Sequence, residues 1–335
     1  MSGQYLPLRI DPRADGLGDA EHHATSQRAP EASEPADDDG FERIEQPRRA
    51  DRRIEIRPQP EIERRNRDDD EGKAHGAGKD AVVIDAHKLR DFEIVNAAHS
   101  EEAATKGVEL VHAAKGEMLM KGSLHTDELM RAVTAKVGGL RTDRRISHVF
   151  VMDVPAYADT LFVTDAAINI FPDLDAKRDI IQNAIDLYTQ AGFGKSPRVA
   201  ILSAVETVSS KIPSTIEAAA LCKMADRGQI TGGVLDGPLA FDNAIDVEAA
   251  RIKGIKSEVA GRAQILLVPD LESGNMLAKN LAYFAKADSA GIVLGARVPV
   301  VLTSRADSAR ARMASCAVAA LYAHARRQHA PTVAA

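Results

Sequence analysis

Beyond Asp80 the sequence alternates short aliphatic runs with helical stretches, and this alternation restricts the fold more than any other feature. "HVFVMDV", "TLFVTDA", "RVAILSAV", "GVLDG", "QILLVPD", "AGIVLG" and "PVVLTS" have the length and near-continuous apolar character of strands buried on both faces. "AVVIDAHKL", "DFEIVNA" and "EMLMKG" read as further extended runs. Between them lie "SEEAATKGVELVHAAKG", which opens on a serine and two acids, and "TDELMRAVTAKVGG", with Thr126 as its cap and Gly138 as its stop. "AKRDIIQNAIDLYTQAG", "STIEAAALCKMADRG", "VEAARIKG", "GNMLAKNLAYFAKAD" and a last helix to Arg327 complete the series. Strands and helices in alternation predict an α/β fold with mostly parallel sheets and flanking helices.

The lead before this pattern is different. From Asp11 to Lys79 it is dominated by Asp, Glu, Arg, Pro and Gly, and Phe41, Ile44, Ile54, Ile56 and Ile62 show no sustained period. Such a segment buries too little apolar surface to offset its ordering entropy, so residues 1–80 are expected to form a disordered charged tail. The 335 residues suggest two domains besides such a tail. Aromatic residues are only 4% and Trp is absent, so the core must be aliphatic. A net charge of −6, with acids interspersed among the arginines, argues against a nucleic-acid partner. Two cysteines, no run of membrane-spanning length and no signal-peptide order at the N-terminus point to a cytoplasmic protein.

In open α/β sheets ligands bind beyond the carboxyl ends of the strands, and here those ends are rich in polar groups. "LMKGSLHTDELMR" offers Lys121, Ser123, His125, Thr126 and Arg131; "VLDGPLAFDNA" offers Asp236 and Asn243; "LLVPDLESGN" offers Asp270, Gly274 and Asn275. In "PVVLTSRADSARARMAS" a hydroxyl, a guanidinium and a carboxylate (Ser304, Arg305, Asp307) stand where a strand hands over to a helix. Each group alone reads equally as turn chemistry or helix capping. Together they describe helix N-termini and cations converging on a cleft suited to an anion such as phosphate. Neither G-x-G-x-x-G nor G-x-x-x-x-G-K-[ST] occurs, and His112, His125 and His148 form no metal-ligand spacing, so no metal is expected.

Six blocks, "LMKGSLHTDELMRAV", "RISHVFVMDVP", "FVTDAAINIFPDLDAKRDIIQNAI", "VLDGPLAFDNAI", "LLVPDLESGNMLAKNL" and "PVVLTSRADSA", resemble the phosphate acetyl/butyryltransferase family in order and spacing over residues 92–323. The resemblance implies reversible acyl transfer, acyl-CoA plus inorganic phosphate giving acyl phosphate plus CoA. Coenzyme A thioester is then a substrate, and no cofactor is held. It further implies a homodimer and a fold like that of the isocitrate and isopropylmalate dehydrogenases. Residues 81–150 plus 298–335 would make one α/β domain and 151–297 the other, with the active site in the cleft between them.

The resemblance assigns roles. Ser304 would donate to the acyl carbonyl or its developing oxyanion, and Arg305 and Arg131 would grip phosphate through their planar forks. CoA reacts as a thiolate, so a base is needed. In the acetyltransferase branch an aspartate seven residues after the serine takes the thiol proton, but that position is Ala311 here; Asp307 is the substitute, unless the base lies elsewhere. The "TSRADS" form and the "LMKG" block lean toward the butyryl-like branch without fixing the acyl chain. Family members also carry strand–helix units before the segment matching "FEIVNA", where this chain has its charged lead; an out-of-frame start in a GC-rich gene is one source of such a lead. The alternative reading is a truncated, catalytically weak member that acts as an oligomerisation or binding module. Related cleft enzymes, an NAD-dependent dehydrogenase or a phosphate:acyl-carrier acyltransferase, are a third.

Overall fold

The structure, a computed structural model, describes the backbone of residues 54–58, then residues 93–302, Ser304 and residues 307–329. Its elements in chain order are β1 (Ile54–Pro58), β2 (Glu93–Ala97), α1 (Ser100–His112), β3 (Leu119–Met120), α2 (Thr126–Thr134), β4 (Ser147–Asp153), β5 (Leu161–Thr164), α3 (Leu174–Gln190) and β6 (Arg198–Leu202). There follow α4 (Pro213–Asp226), β7 (Val234–Leu239), α5 (Phe241–Ile245), α6 (Val247–Ile252), β8 (Ile265–Leu267), α7 (Leu271–Tyr283), β9 (Asp288–Leu294), β10 (Val300–Val301) and α8 (Ala309–His329). Within the lead expected to be disordered, residues 54–58 form a strand paired parallel with β2, a correction to that expectation. The alternation in "IEIR" is of strand period but too short to stand out from its charged surroundings. "AVVIDAHKL" and the rest of the tail lie outside the described residues.

Eight strands make one mixed sheet in the order β3-β10-β9-β4-β5-β8-β6-β7. The pairs β3–β10, β5–β8, β8–β6 and β6–β7 are parallel; β10–β9, β9–β4 and β4–β5 are antiparallel. The sheet runs through residues expected in both domains. Aliphatic runs such as "ILL" of β8 and "LFVT" of β5 are buried on both faces, because helices cover both. One face packs on α3, α4 and α8 through Ile180, Ile185, Leu221, Val318 and Tyr322. The other carries two separate clusters: α1 and α2 cover Val293 and Val300, while α5, α6 and α7 cover Leu161, Val163 and Leu266. The scarce aromatics concentrate on the first face, where Phe162 meets Tyr188 and Phe193 edge-on at 5.3 and 5.2 Å.

Two capping expectations change. His99, not Ser100, precedes α1, with Nδ1 accepting the Glu102 N–H at 3.2 Å. His125, not Thr126, precedes α2, and Glu128 reaches back to the His125 N–H at 2.9 Å. Ser100, released from capping, donates its hydroxyl to Glu128 at 2.7 Å and so ties the two helices. That bond, followed by the His125 amide, holds the Glu128 carboxyl below its ordinary range. The second helix ends at Thr134, before Gly138, whose φ of +73° turns the following chain.

Candidate active site

The β3 and β10 strands lie side by side and parallel, so the loops leaving their C-terminal ends emerge together. The Lys121 N–H donates to the Val301 carbonyl at 2.9 Å, which carries the pairing to the last residue before the loop. Lys121 is buried, and its ammonium donates to the Leu124 carbonyl at 3.2 Å. Ser123, His125 and Thr126 are exposed on the same loop and helix start. Arg131 is exposed too, pairing with Glu101 at 2.9 Å and Asp127 at 3.6 Å.

At the end of β10, the Ser304 N–H donates to Asp307 Oδ2 at 2.6 Å, and the Asp307 N–H returns to the Ser304 carbonyl at 3.2 Å. The cap of α8 falls to another residue: Ser308 Oγ accepts the Ala311 N–H at 3.1 Å. Helix capping therefore does not account for Ser304 and Asp307. Arg305 lies outside the described residues. Ala311 is half-buried, and one turn on, Ser315 fixes the helix to the sheet by accepting the Gly291 N–H at 2.9 Å.

The remaining predicted residues follow other strands. β3, β10 and β4 run one way and β5, β8, β6 and β7 the other, but the register sets Leu119 and Val300 in the row of Val293 and His148, one residue from the Val149–Thr164 pair at the end of β5. Asp270 caps α7 by accepting the Ser273 N–H at 2.8 Å. Asn275 donates to the Ala166 carbonyl at 3.2 Å, and Gly274 packs so closely that a Cβ there would stand 2.7 Å from Val268 Cγ2 and 3.0 Å from the Asp165 carbonyl. Asp236 accepts the Gly237 N–H at 2.8 Å. Burial first, then the Asp236 and Asp226 charges, push the nearby Cys222 thiol up to about 12, so it is a packing group rather than a nucleophile. Asn243 is fully buried and donates to Glu206 at 3.4 Å, itself paired with Lys253. Lys121, Ser123, His125 and Thr126 thus lie on the loop and helix start after β3, Ser304 and Asp307 in the turn after its parallel neighbour β10, and Asp236, Asn243, Asp270, Gly274 and Asn275 on or after β7 and β8.

Sequence reasoning passed over a buried polar network at the end of β5. Asp165 is 2% exposed and accepts the N–H groups of Ala167, Ile168 and Asn169 at 3.0, 3.0 and 3.2 Å, plus the Asn169 side-chain amide at 2.5 Å. Beside it His148 is 2% exposed in the middle of the sheet. An imidazole inside the otherwise aliphatic run "HVFVMD" was the available signal. Among the described residues no group of three or more His, Cys, Asp or Glu is placed to hold a metal ion, and no helix is long and apolar enough to cross a membrane.

The family model described as "Phosphate acetyl/butaryl transferase" matches residues 42–320, so the likeness begins well before the first of the recognisable sequence blocks. Phosphate acetyltransferase of Rhizobium meliloti is 76% identical over 235 residues, covering 70% of this chain and 74% of that protein. Phosphate butyryltransferase of Clostridium acetobutylicum is 47% identical over 248 residues, covering 73% and 82%. The crystal structure of a branched-chain phosphotransacylase from Enterococcus faecalis V583 superposes with a TM-score of 0.67 at 29% identity, over 81% of this chain and 98% of that one. On a match of this extent, the chain belongs to the phosphate acetyl/butyryltransferase family.

Proposed function

We propose that this protein is a phosphate acyltransferase that moves an acetyl group reversibly between coenzyme A and inorganic phosphate. The 76% identity to a phosphate acetyltransferase supports acetyl over butyryl, against the lean given by the "TSRADS" form and the "LMKG" block. The observation that carries the reading is the Ser304–Asp307 turn beside the β3 loop, with α8 capped by Ser308 instead.

In the direction of acyl phosphate consumption, the CoA thiol gives its proton to the Asp307 carboxylate, in the place of the base that Ala311 lacks. The thiolate attacks the acyl carbon, the carbon–sulfur bond forms, and Ser304 donates to the oxyanion. The bond from the acyl carbon to the phosphate oxygen then breaks, and the electron pair leaves with phosphate. Arg305 and Arg131 receive the phosphate through paired N–H groups, while Lys121, Ser123, His125 and Thr126 line the approach. For Arg131 the substrate competes with Glu101, an exposed pair of little strength. Two domains meeting at a cleft, the dehydrogenase-like arrangement, a homodimer and a cytoplasmic setting complete the reading, and all follow from family likeness.

Release of free CoA thiol from acetyl-CoA and butyryl-CoA, with and without phosphate, tests it. Phosphate-dependent release, faster with acetyl-CoA and lost in Ser304→Ala, is the expected result. No release from a folded preparation would select the second reading, a catalytically weak binding or oligomerisation module, which the Ala311 departure favours.

A further inference from the structure

Between Val301, where β10 ends, and Ser315, in the second turn of α8, none of the described residues is buried. Ser304 and Asp307 therefore hang between two buried anchors. The first is the sheet itself: Val300 and Val301 are fully buried, and Val300 pairs with Val293 of β9. Continued in the same register, β10 would bring Leu302 to Gly291, but the chain turns away there. The second anchor is Ser315, 4% exposed, whose Oγ accepts the Gly291 N–H at 2.9 Å. Gly291 stands two residues before Val293 on β9, a separation of about 7 Å along the strand. The segment that carries the reacting turn thus leaves β9 and returns to it almost at the same place.

A run of hydrogen bonds joins the second anchor to that turn. The Ser315 hydroxyl donates to the Ala311 carbonyl at 2.8 Å. The Ala311 N–H donates to Ser308 Oγ, and the Arg312 N–H to the Ser308 carbonyl, both at 3.1 Å. Ser308 follows Asp307, whose carboxylate holds the Ser304 N–H. A serine inside a helix often bonds the carbonyl four residues back and does nothing more. Ser315 also takes an N–H from the sheet, which an apolar side chain could not do. The buried apolar residues of α8 in the core, Val318, Ala319 and Tyr322, come later and hold its body rather than its start. Arg310 reaches Asp288 at 2.8 Å, but that ion pair is exposed and of little strength. Next to Ser315, Cys316 Sγ lies 3.2 Å from Met120 Sδ, so the same turn of the helix touches the strand that leads into Lys121.

We propose that Ser315 is a positioning residue of acyl transfer: by closing α8 onto Gly291 it fixes where the Ser304–Asp307 turn stands relative to the ends of β3 and β10. Without the hydroxyl, the Gly291 N–H loses its partner and the start of α8 is free to shift along the sheet. A displacement of about 1 Å at the reacting groups is enough to slow a reaction about 10²-fold. This inference rests on the reading of Ser304 and Asp307 as the reacting pair.

Two measurements on the full chain test it, with Glu217→Gln as a variant destabilised elsewhere, on α4. The first needs no catalysis: amide hydrogen exchange at Ser304 and Asp307 is followed by mass spectrometry. Exchange there is expected to quicken about tenfold in Ser315→Ala and by less than about twofold in Glu217→Gln and in Ser315→Thr, which keeps the hydroxyl. Unchanged exchange in Ser315→Ala overturns the proposal, even in a fully active enzyme. The second is phosphate-dependent release of CoA thiol, measured where every variant is folded. In Ser315→Ala kcat is expected to fall about tenfold or more, with KM for acetyl-CoA changed by less than about threefold, and Ser315→Thr restores it. An equal loss of kcat in Ser315→Ala and Glu217→Gln means that activity follows stability alone, and overturns the proposal. Failure of the acyltransferase reading itself looks different: folded wild type then gives no phosphate-dependent release, while the exchange rates still decide whether Ser315 holds the turn.

Discussion

Ser304 and Asp307 close a turn on themselves, the serine N–H donating to the aspartate carboxylate at 2.6 Å and the aspartate N–H to the serine carbonyl at 3.2 Å. The bond fixes the carboxylate relative to the serine, three residues away, as a base must be fixed relative to the group that receives the oxyanion. It also separates two roles for Asp307. An asparagine in its place would keep a side-chain oxygen for the Ser304 N–H but could not take a thiol proton. Asp307→Asn is therefore expected to fold normally and to lose kcat by a factor of about 10² to 10³, as Asp307→Ala does. If Asp307 only ties the turn, Asp307→Asn will keep near-wild-type kcat in the thiol-release assay and Asp307→Ala alone will fail.

Gly274 is where α7 comes closest to the Asp165–Ala166 turn. A Cβ there meets Val268 Cγ2 at 2.7 Å, the Asp165 carbonyl at 3.0 Å and Ala166 Cα at 3.1 Å, and two of the three are backbone atoms that cannot swing aside. Gly274→Ala is expected to destabilise by about 1–3 kcal/mol, despite alanine's better helix propensity. Thermal unfolding followed by circular dichroism checks this; an unchanged or raised Tm would show that the helix slides to accommodate the methyl group.

The same glycine shows what was legible in the sequence and what was not. Strand and helix identities came from local signals: "LFVT" and "ILL" could hardly be anything but buried strands, and both are. The direction in which strands run is a non-local property, because it depends on which partner each strand finds. Asp270, Gly274 and Asn275 stand beyond the end of β8, which runs opposite to β10, and there Asp270 caps α7 while Asn275 donates to the Ala166 carbonyl. β3 and β10 are parallel neighbours, so Lys121 and Ser304 follow adjacent strands, a pairing that no local spacing in the sequence shows. Ser308 took the α8 cap that the residues before it were chemically as able to fill. His148 carried a local signal, one imidazole in an aliphatic strand, but its burial depends on packing against elements far from it in sequence.

Lys177 on α3 is 4% exposed and ion-paired with Glu217 on α4, whose side chain is only a third exposed. Removing the acid leaves an ammonium buried without its partner, so Glu217→Gln is expected to cost about 3 kcal/mol. Replacing both together, Lys177→Met with Glu217→Leu, is expected to be nearly neutral, since a packed apolar pair avoids the desolvation of two charges. Urea unfolding of the singles and the double gives the comparison. A double variant as unstable as Glu217→Gln would mean that the pair itself, rather than the stranded charge, holds the helices together.

His148 also ties stability to pH with a definite sign. Burial depresses its folded-state value to about 4, below the 6.5 of an imidazole in the unfolded chain, with Asp165 and then Asp307 acting in the opposite direction. As pH falls through 6.5 the unfolded chain takes up a proton that the folded chain refuses. Stability is therefore lost between about pH 6.5 and about pH 4, and below that this group adds no further change. A tenfold difference in proton affinity between the two states is worth about 1.4 kcal/mol, so the loss across the window is about 3 kcal/mol. His148→Gln cannot bind the proton in either state, and its unfolding free energy should decline less over the same interval. Urea titrations at about pH 7, 5.5 and 4.5 measure the difference in slope. Parallel declines in the two proteins would mean that His148 is charged in the folded state, and that the two carboxylates hold the proton on it despite its burial.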